Sequence, residues 1–149
     1  MLKRLTEGVA VCVTVTLLDG LVLARSVFNH SMNYRSVVIL GTATAVPESE
    51  KLAALRVLSE HIIPGRWAEA RLPNERELRA TTVLRLPITE FSAKVRTGPP
   101  IDDEEDYGFP TWAGVIPLET VARPGIPDAR LKQNAVAPRY AKNYVRGMK

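Results

Sequence analysis

The segment Ser31–Val46, SMNYRSVVILGTATAV, fixes most of what this chain can become. A β-branched apolar run needs burial on at least one side, so it demands partner strands and a packed layer. Yet it opens with Asn33, Tyr34, Arg35 and Ser36, four hydrogen-bonding side chains in a row, which a strand start does not require. Gly41 interrupts the run, and a glycine inside a strand marks a bulge or bend of the kind that lets a sheet curl into a barrel.

Partners for that strand lie on both sides of it in the chain. Ala10–Leu18 and Leu21–Phe28 are rich in valine and threonine and flank Asp19-Gly20, a pair that favours a type I′ turn, so a hairpin is predicted there. Leu2–Glu7 reads as the end of a helix closed by Gly8. Leu52, Leu55, Leu58 and Ile62 recur at helical spacing within a helix predicted over 48–61, which Pro64-Gly65 ends. Residues 66–76 are a loop or a second short helix. Residues 79–95 alternate as a strand, with Pro87 favouring an edge or a bulge. Residues 97–107 read as an exposed loop, and Trp112–Leu118 as a last short strand or turn. Three strands, a helix and a strand with short early connections make a mainly β fold with helices, a curled antiparallel sheet rather than βαβ units. Residues 1–120 form the domain and 121–149 a basic, proline-containing tail.

At 149 residues and 46% hydrophobic content one domain with its own core is expected. No apolar run reaches the 18 to 20 or so residues of a membrane span, and MLKRLTEG lacks the apolar region of a secretory signal, so the expected location is the cytoplasm, away from membranes. The net charge of +4 is divided unevenly. From Arg123 onward seven bases face one acid, which leaves residues 1–122 at −2. A slightly acidic body is not the footprint of a nucleic-acid-binding surface.

Most reactive side chains have a structural reading. Cys12, between two valines, is expected to be a buried and inert thiol. His30 and His61 lack metal-ligand spacing, so no metal site is expected; His61 suits a helix C-terminus, and His30 sits in a polar loop where it can also meet a ligand. Asp102–Asp106 lacks the alternation and turning glycine of a calcium loop and reads as solvated. Neither a glycine-rich nucleotide motif nor a nucleophile elbow is present.

Three clusters remain, each at a predicted strand end: Asn33-Tyr34-Arg35-Ser36, Lys94-Val95-Arg96 and Thr111-Trp112-Ala113-Gly114. Together they supply cations for a phosphate, hydroxyl and amide groups for a polar ring edge, and an indole face, the needs of a flavin mononucleotide. The same residues also suit a structural account in which Arg35 pairs with a surface acid, Tyr34 keeps only its hydroxyl in water and Trp112 plugs the core.

NYRSVVILGTATAV, HIIPGRW, ELRATTVLRLPI and FSAKVRTGPPIDDEEDYGFPTWAGVIPL resemble the flavin-binding split-barrel superfamily, and within it the proteins related to pyridoxamine 5′-phosphate oxidase, including the nitroimidazole-resistance type. The resemblance runs from about Leu2 to Leu118. It implies a Greek-key antiparallel barrel, a homodimer with FMN at the subunit interface, and electron or hydride transfer to or from a small-molecule substrate. It places Tyr34, Arg35 and Ser36 beside the flavin, with Lys94, Arg96 and Trp112 near the ring or the interface. Family members carry further strands and a basic phosphate loop ahead of Leu2–Glu7, so the resemblance implies a barrel incomplete at its N-terminus. An alternative is a split-barrel interaction protein that has lost the flavin; a third is an anion-binding module acting through the basic tail.

Overall fold

The structure, a computed structural model, describes residues 8–132 and 135–144. The helix expected over Leu2–Glu7 lies outside the described residues. The described residues divide into two compact units, one made of residues 8–43 with 86–119 and the other of 44–85 with 120–132 and 135–144.

The first unit is an antiparallel sheet of four strands, β1 (Ala10–Leu23), β2 (Ser31–Thr42), β5 (Glu90–Arg96) and β6 (Gly114–Pro117), in the order β5-β2-β1-β6. β1 runs against β2 from Ala10↔Thr42 to Val22↔Ser31, and β2 against β5 from Tyr34↔Arg96 to Leu40↔Glu90. β6 joins only the end of β1, from Gly20↔Pro117 to Leu23↔Gly114.

The hairpin expected at Asp19-Gly20 does not form. β1 passes straight through, and the register slips by one residue between Leu18 and Gly20, a β-bulge. Positive φ, which a type I′ turn needs, is confined to Gly8, Gly65 and Gly98 among the described residues. At Asp19 the carbonyl accepts from Leu118 N–H at 3.0 Å and the carboxylate is held by Arg35. Gly20 instead serves a close approach, since a Cβ there would lie 3.0 Å from Val115 Cγ1 and 3.2 Å from the Ile116 carbonyl. The chain reverses later, around a 3₁₀ turn at Val27–Asn29. There Ser26 Oγ accepts from Phe28 N–H, and His30 Nδ1 accepts from Ala24 N–H at 3.1 Å.

Gly41 pairs regularly with Val11, so it is no bulge; it admits Leu86, whose Cδ1 would lie 3.1 Å from a Cβ. The strand breaks two residues on, at Ala43. The run expected as one strand over 79–95 is likewise two, because Pro87 has no N–H to continue a ladder.

The second unit pairs β3 (Thr44–Ala45) with β4 (Leu84–Arg85) and carries α1 (Glu48–Ile62), α2 (Arg66–Glu69), α3 (Glu75–Ala80) and α4 (Arg139–Lys142). α1 matches its expected span to within a residue. Glu48 and Glu50 in its first turn favour the helix dipole, and Glu60 closes its far end by accepting from Gly65 N–H at 2.8 Å and Trp67 N–H at 3.0 Å. These two backbone donors hold the Glu60 carboxyl below its ordinary value. The residue of α1 that is buried is Lys51, whose Nζ donates to Glu48 and to the Leu78 carbonyl, whereas Leu52, Leu58 and Ile62 are exposed.

Among the described residues the buried apolar set is small: Val22, Ala24 and Ala43 in the first unit and Val46 in the second. The sheet leaves Val13, Val15, Phe91 and Val95 exposed. Cys12 is exposed too, against expectation, as is Leu40 opposite it on the same strand face.

Candidate functional site

Residues opposed in an antiparallel ladder project to the same face of the sheet. Tyr34 and Ser36 therefore share a face with Arg96 and Lys94 on β5 and with Leu18 and Thr16 on β1. The contact between the Thr16 and Ser36 hydroxyls, 2.8 Å, follows from that pairing. On this face β5 presents two cations at alternate positions, and neither Lys94 nor Arg96 has an acidic partner among the described residues.

Asn33 sets the position of Arg96. It is buried; its Nδ2 donates to the Gly98 carbonyl at 3.0 Å, and its Oδ1 accepts from Arg96 Nη1 at 3.2 Å, which also reaches the Met32 carbonyl at 3.3 Å. Gly98 has φ 108°, a conformation that side-chain-bearing residues rarely adopt, so the turn after β5 is shaped to receive this amide. A buried amide satisfied on both ends is a fixed bracket for the guanidinium above it.

Arg35 belongs to the other face, with Leu17 and Val95. Its Nε and Nη2 donate to the two oxygens of Asp19 at 2.9 and 2.8 Å, and this fork holds the Asp19 carboxyl below its ordinary value and raises the guanidinium. Trp112 precedes β6, the strand at the sheet edge opposite β5. It is 65% exposed, so it does not plug a core; its ring lies over Gly114, where a Cβ would come within 2.9 Å of Cζ2. The structure thus brings together Asn33, Tyr34, Ser36, Lys94 and Arg96, turns Arg35 away and sets Trp112 apart.

Three groups escaped the sequence reading. Thr16 adds a hydroxyl to the polar face, and Asp19 neutralises Arg35; reading Asp19-Gly20 as a turn hid both relations. The third is Asp102, expected in a solvated run but buried. Its Oδ1 accepts from the Arg25 and Ser26 N–H groups at 2.9 and 3.2 Å, and its Oδ2 from Arg25 Nη1 at 3.1 Å. Burial pushes this carboxyl up, and the backbone donors with the Arg25 guanidinium outweigh it and hold it below its ordinary value. Arg25 also lies over the Tyr107 ring, 4.8 Å from its centre. The clamp ties residues 102–107 to the β1–β2 connection. His30, accepting at Nδ1 from Ala24, closes that same connection.

Among the described residues no group of three or more His, Cys, Asp and Glu could hold a metal ion, and no helix is long and apolar enough to cross a membrane. The donor set of the β2–β5 face fits a phosphate-bearing cofactor: two unpaired cations, one of them bracketed, beside three hydroxyls.

The described sheet of the first unit is antiparallel and carries a polar, cation-bearing strand face. The family model for pyridoxamine 5′-phosphate oxidase matches residues 1–95, and the chain belongs to that family. Two solved structures are similar along almost the whole chain. The flavocytochrome Anf3 from Azotobacter vinelandii is 46% identical, with a TM-score of 0.87 over 93% of this chain and 65% of its own. The FAD and heme binding protein from Mycobacterium smegmatis is 38% identical, with a TM-score of 0.88 over 93% of this chain and 68% of its own. The chain thus spans about two thirds of the length of these relatives. No curated protein matches it.

Proposed function

We propose that this chain binds FMN on the face shared by β2 and β5, as a cytoplasmic homodimer with the flavin at the subunit interface, and serves as an oxidoreductase acting on a small molecule. The observation that carries the proposal is the register Tyr34↔Arg96 and Ser36↔Lys94, which lines up hydroxyls and unpaired cations on one face in a chain of this family. Lys94 and Arg96 hold the phosphate, Asn33 keeps Arg96 aimed, and Tyr34, Ser36 and Thr16 meet the polar edge of the ring. The bound flavin supplies the hydride or electron transfer, so none of these side chains has to act as a nucleophile. Arg35, engaged by Asp19 on the opposite face, and Trp112, at the far edge, lie outside this set.

A second reading, FAD in place of FMN, draws on the similarity to the FAD and heme binding protein from Mycobacterium smegmatis. A third, a split-barrel interaction protein without flavin, draws on the small buried core. Titration of the full chain with FMN, FAD and riboflavin, followed by quenching of flavin fluorescence, separates the three. FMN is expected to bind more tightly than riboflavin. Lys94→Ala and Arg96→Ala are each expected to weaken FMN binding at least tenfold, about 1.5 kcal/mol, and to leave riboflavin affinity unchanged. Equal FMN affinity in both variants overturns the phosphate assignment, and absence of binding to all three flavins favours the interaction protein.

A further inference from the structure

β5 (Glu90–Arg96) stands at the edge of the four-stranded sheet and pairs, among the described residues, on one side alone, with β2. An edge strand turns the N–H and C=O groups of alternate residues outward as a template for another strand, and folded chains blunt such edges with proline, bulges, brevity or charge. Of these β5 has only charge. EFSAKVR holds no proline, its seven residues run against β2 from Tyr34↔Arg96 to Leu40↔Glu90 without a slip, and residues 90–95 are exposed.

Those charges are placed so that the strand matches itself. Opposed residues in an antiparallel pair share a face and a hydrogen-bonding direction, so β5 can meet its own copy only in registers centred on a residue. Centring on Ala93 uses all seven residues. Glu90 then opposes the partner's Arg96, Phe91 the partner's Val95, Ser92 the partner's Lys94, and Ala93 the partner's Ala93. Opposite charges, and an aromatic ring against a β-branched side chain, are cross-strand pairs that stabilise a ladder, and the two-fold axis makes each of them twice. Centring on Lys94 instead sets lysine against lysine, and centring on Ser92 keeps five pairs and leaves Phe91 against alanine. The side chains that the Ala93 register joins are available: Phe91 is 60% exposed and Val95 64%, and neither Glu90 nor Arg96 has an ion-pair partner among the described residues. Arg96 is held through Nη1, by Asn33 and the Met32 carbonyl, which leaves its fork pointed by one arm only.

We propose that a second copy of this chain adds its β5 to β5 in the register centred on Ala93, joining two four-stranded sheets into one of eight strands. The contact is isologous and consumes both edges that make it, so it closes as a dimer. Because paired residues share a face, the polar faces that carry Tyr34, Ser36, Lys94 and Arg96 in the two copies adjoin across the axis. Lys94 and the partner's Lys94 stand on a diagonal of about 7–8 Å, and the partner's Glu90 on the other diagonal balances the like charge. The inference rests on the homodimer of the preceding reading and names its contact; its test contains no flavin, so either can fail while the other stands.

Cross-linking of the flavin-free full chain reads the register directly. In a Cys12→Ser background, Ala93→Cys is expected to form a disulfide with its own copy under mild oxidation, because the two β-carbons lie about 5 Å apart, and to run at twice the chain mass until reduced. Phe91→Cys in the same background is expected to stay at single mass, since its copy lies four residues farther along the ladder, about 13 Å away. Light scattering after gel filtration adds a charge test. The unaltered chain is expected at twice its chain mass, Glu90→Arg and Arg96→Glu each at single mass, and their equimolar mixture at twice that mass, because every arginine then faces a glutamate. Equal cross-linking at both positions, none at Ala93→Cys, a single-mass unaltered chain or a mixture that stays single overturns the proposal. A dimer that survives both charge variants overturns the β5 contact and leaves the flavin-bridged homodimer standing. If Arg96→Glu loses its far-ultraviolet circular dichroism, Ser92→Lys replaces it by setting lysine opposite the partner's Lys94: single mass supports the contact and double mass overturns it.

Discussion

Asp102 shows how one carboxylate can govern a segment that composition marks as loose. Its oxygens accept from two backbone N–H groups and a guanidinium, so its ionised form is worth more folded than unfolded. A carboxyl whose value is depressed on folding contributes stability that is fully present above its ordinary value of 3.8 and is lost as pH falls through the lower, folded value. Asp102→Asn is therefore expected to lower the melting temperature at pH 7 by roughly 5 °C, the cost of charged hydrogen bonds lost from a chain of this size. The gap between variant and parent should close as the pH drops below 3.8; thermal melts across the acid range check both points, and a gap that persists at low pH argues that the Asn variant fails for a packing reason. Glu77 follows the same logic, held at about 2 first by the Arg71 guanidinium and then by its reciprocal cap with Asn74.

At the scale of elements, α1 was legible because its apolar spacing, its acidic first turn and Pro64-Gly65 all indicate one helix. β2 was legible for a similar reason, its β-branched run needing a ladder on both sides. The failures share a physical cause. Asp19-Gly20 satisfies a turn and a bulge equally well in local terms; what decides is Arg35, sixteen residues away, together with β6, nearly a hundred residues on. Asp102 reads as surface by its neighbours and is buried by Arg25, seventy-seven residues earlier. For the candidate site, composition identified the residue types, but only register could show that Tyr34 and Ser36 face Lys94 and Arg96 while Arg35 faces away. The bulge gives a direct test. Gly20→Ala would press a methyl group against Val115 and the Ile116 carbonyl, and is expected to destabilise the chain by about 1–2 kcal/mol. Urea denaturation measures the loss, and faster amide hydrogen exchange at Leu21–Leu23 would locate it at the β1–β6 pairing.

At the scale of the whole molecule the dominant fact is how little is buried. Val22 is the large side chain fully shielded from water among the described residues, and both faces of the sheet retain exposed positions. A chain with so small an apolar interior gains proportionately from anything that binds its native state. Under the flavin reading, FMN at a hundredfold excess over its dissociation constant adds about 2.7 kcal/mol, so thermal melts should shift upward with FMN, and less with riboflavin at equal concentration, in proportion to the phosphate contribution. Identical shifts for the two would count against Lys94 and Arg96 as the phosphate pair.

The slip at Asp19 also makes β1 forgiving of an accident that strands rarely survive. Asp19 opposes no residue of its own on β2, while Leu18 faces Tyr34 and Gly20 faces Asn33. Loss of that one codon would leave each β1–β2 pairing intact and remove the counter-charge of Arg35 together with the carbonyl that accepts from Leu118 N–H, whereas loss of the codon for Thr16 would throw the preceding half of the strand inside out. The chain keeps, in the middle of its longest strand, a spare place that heredity can delete without unpicking the sheet.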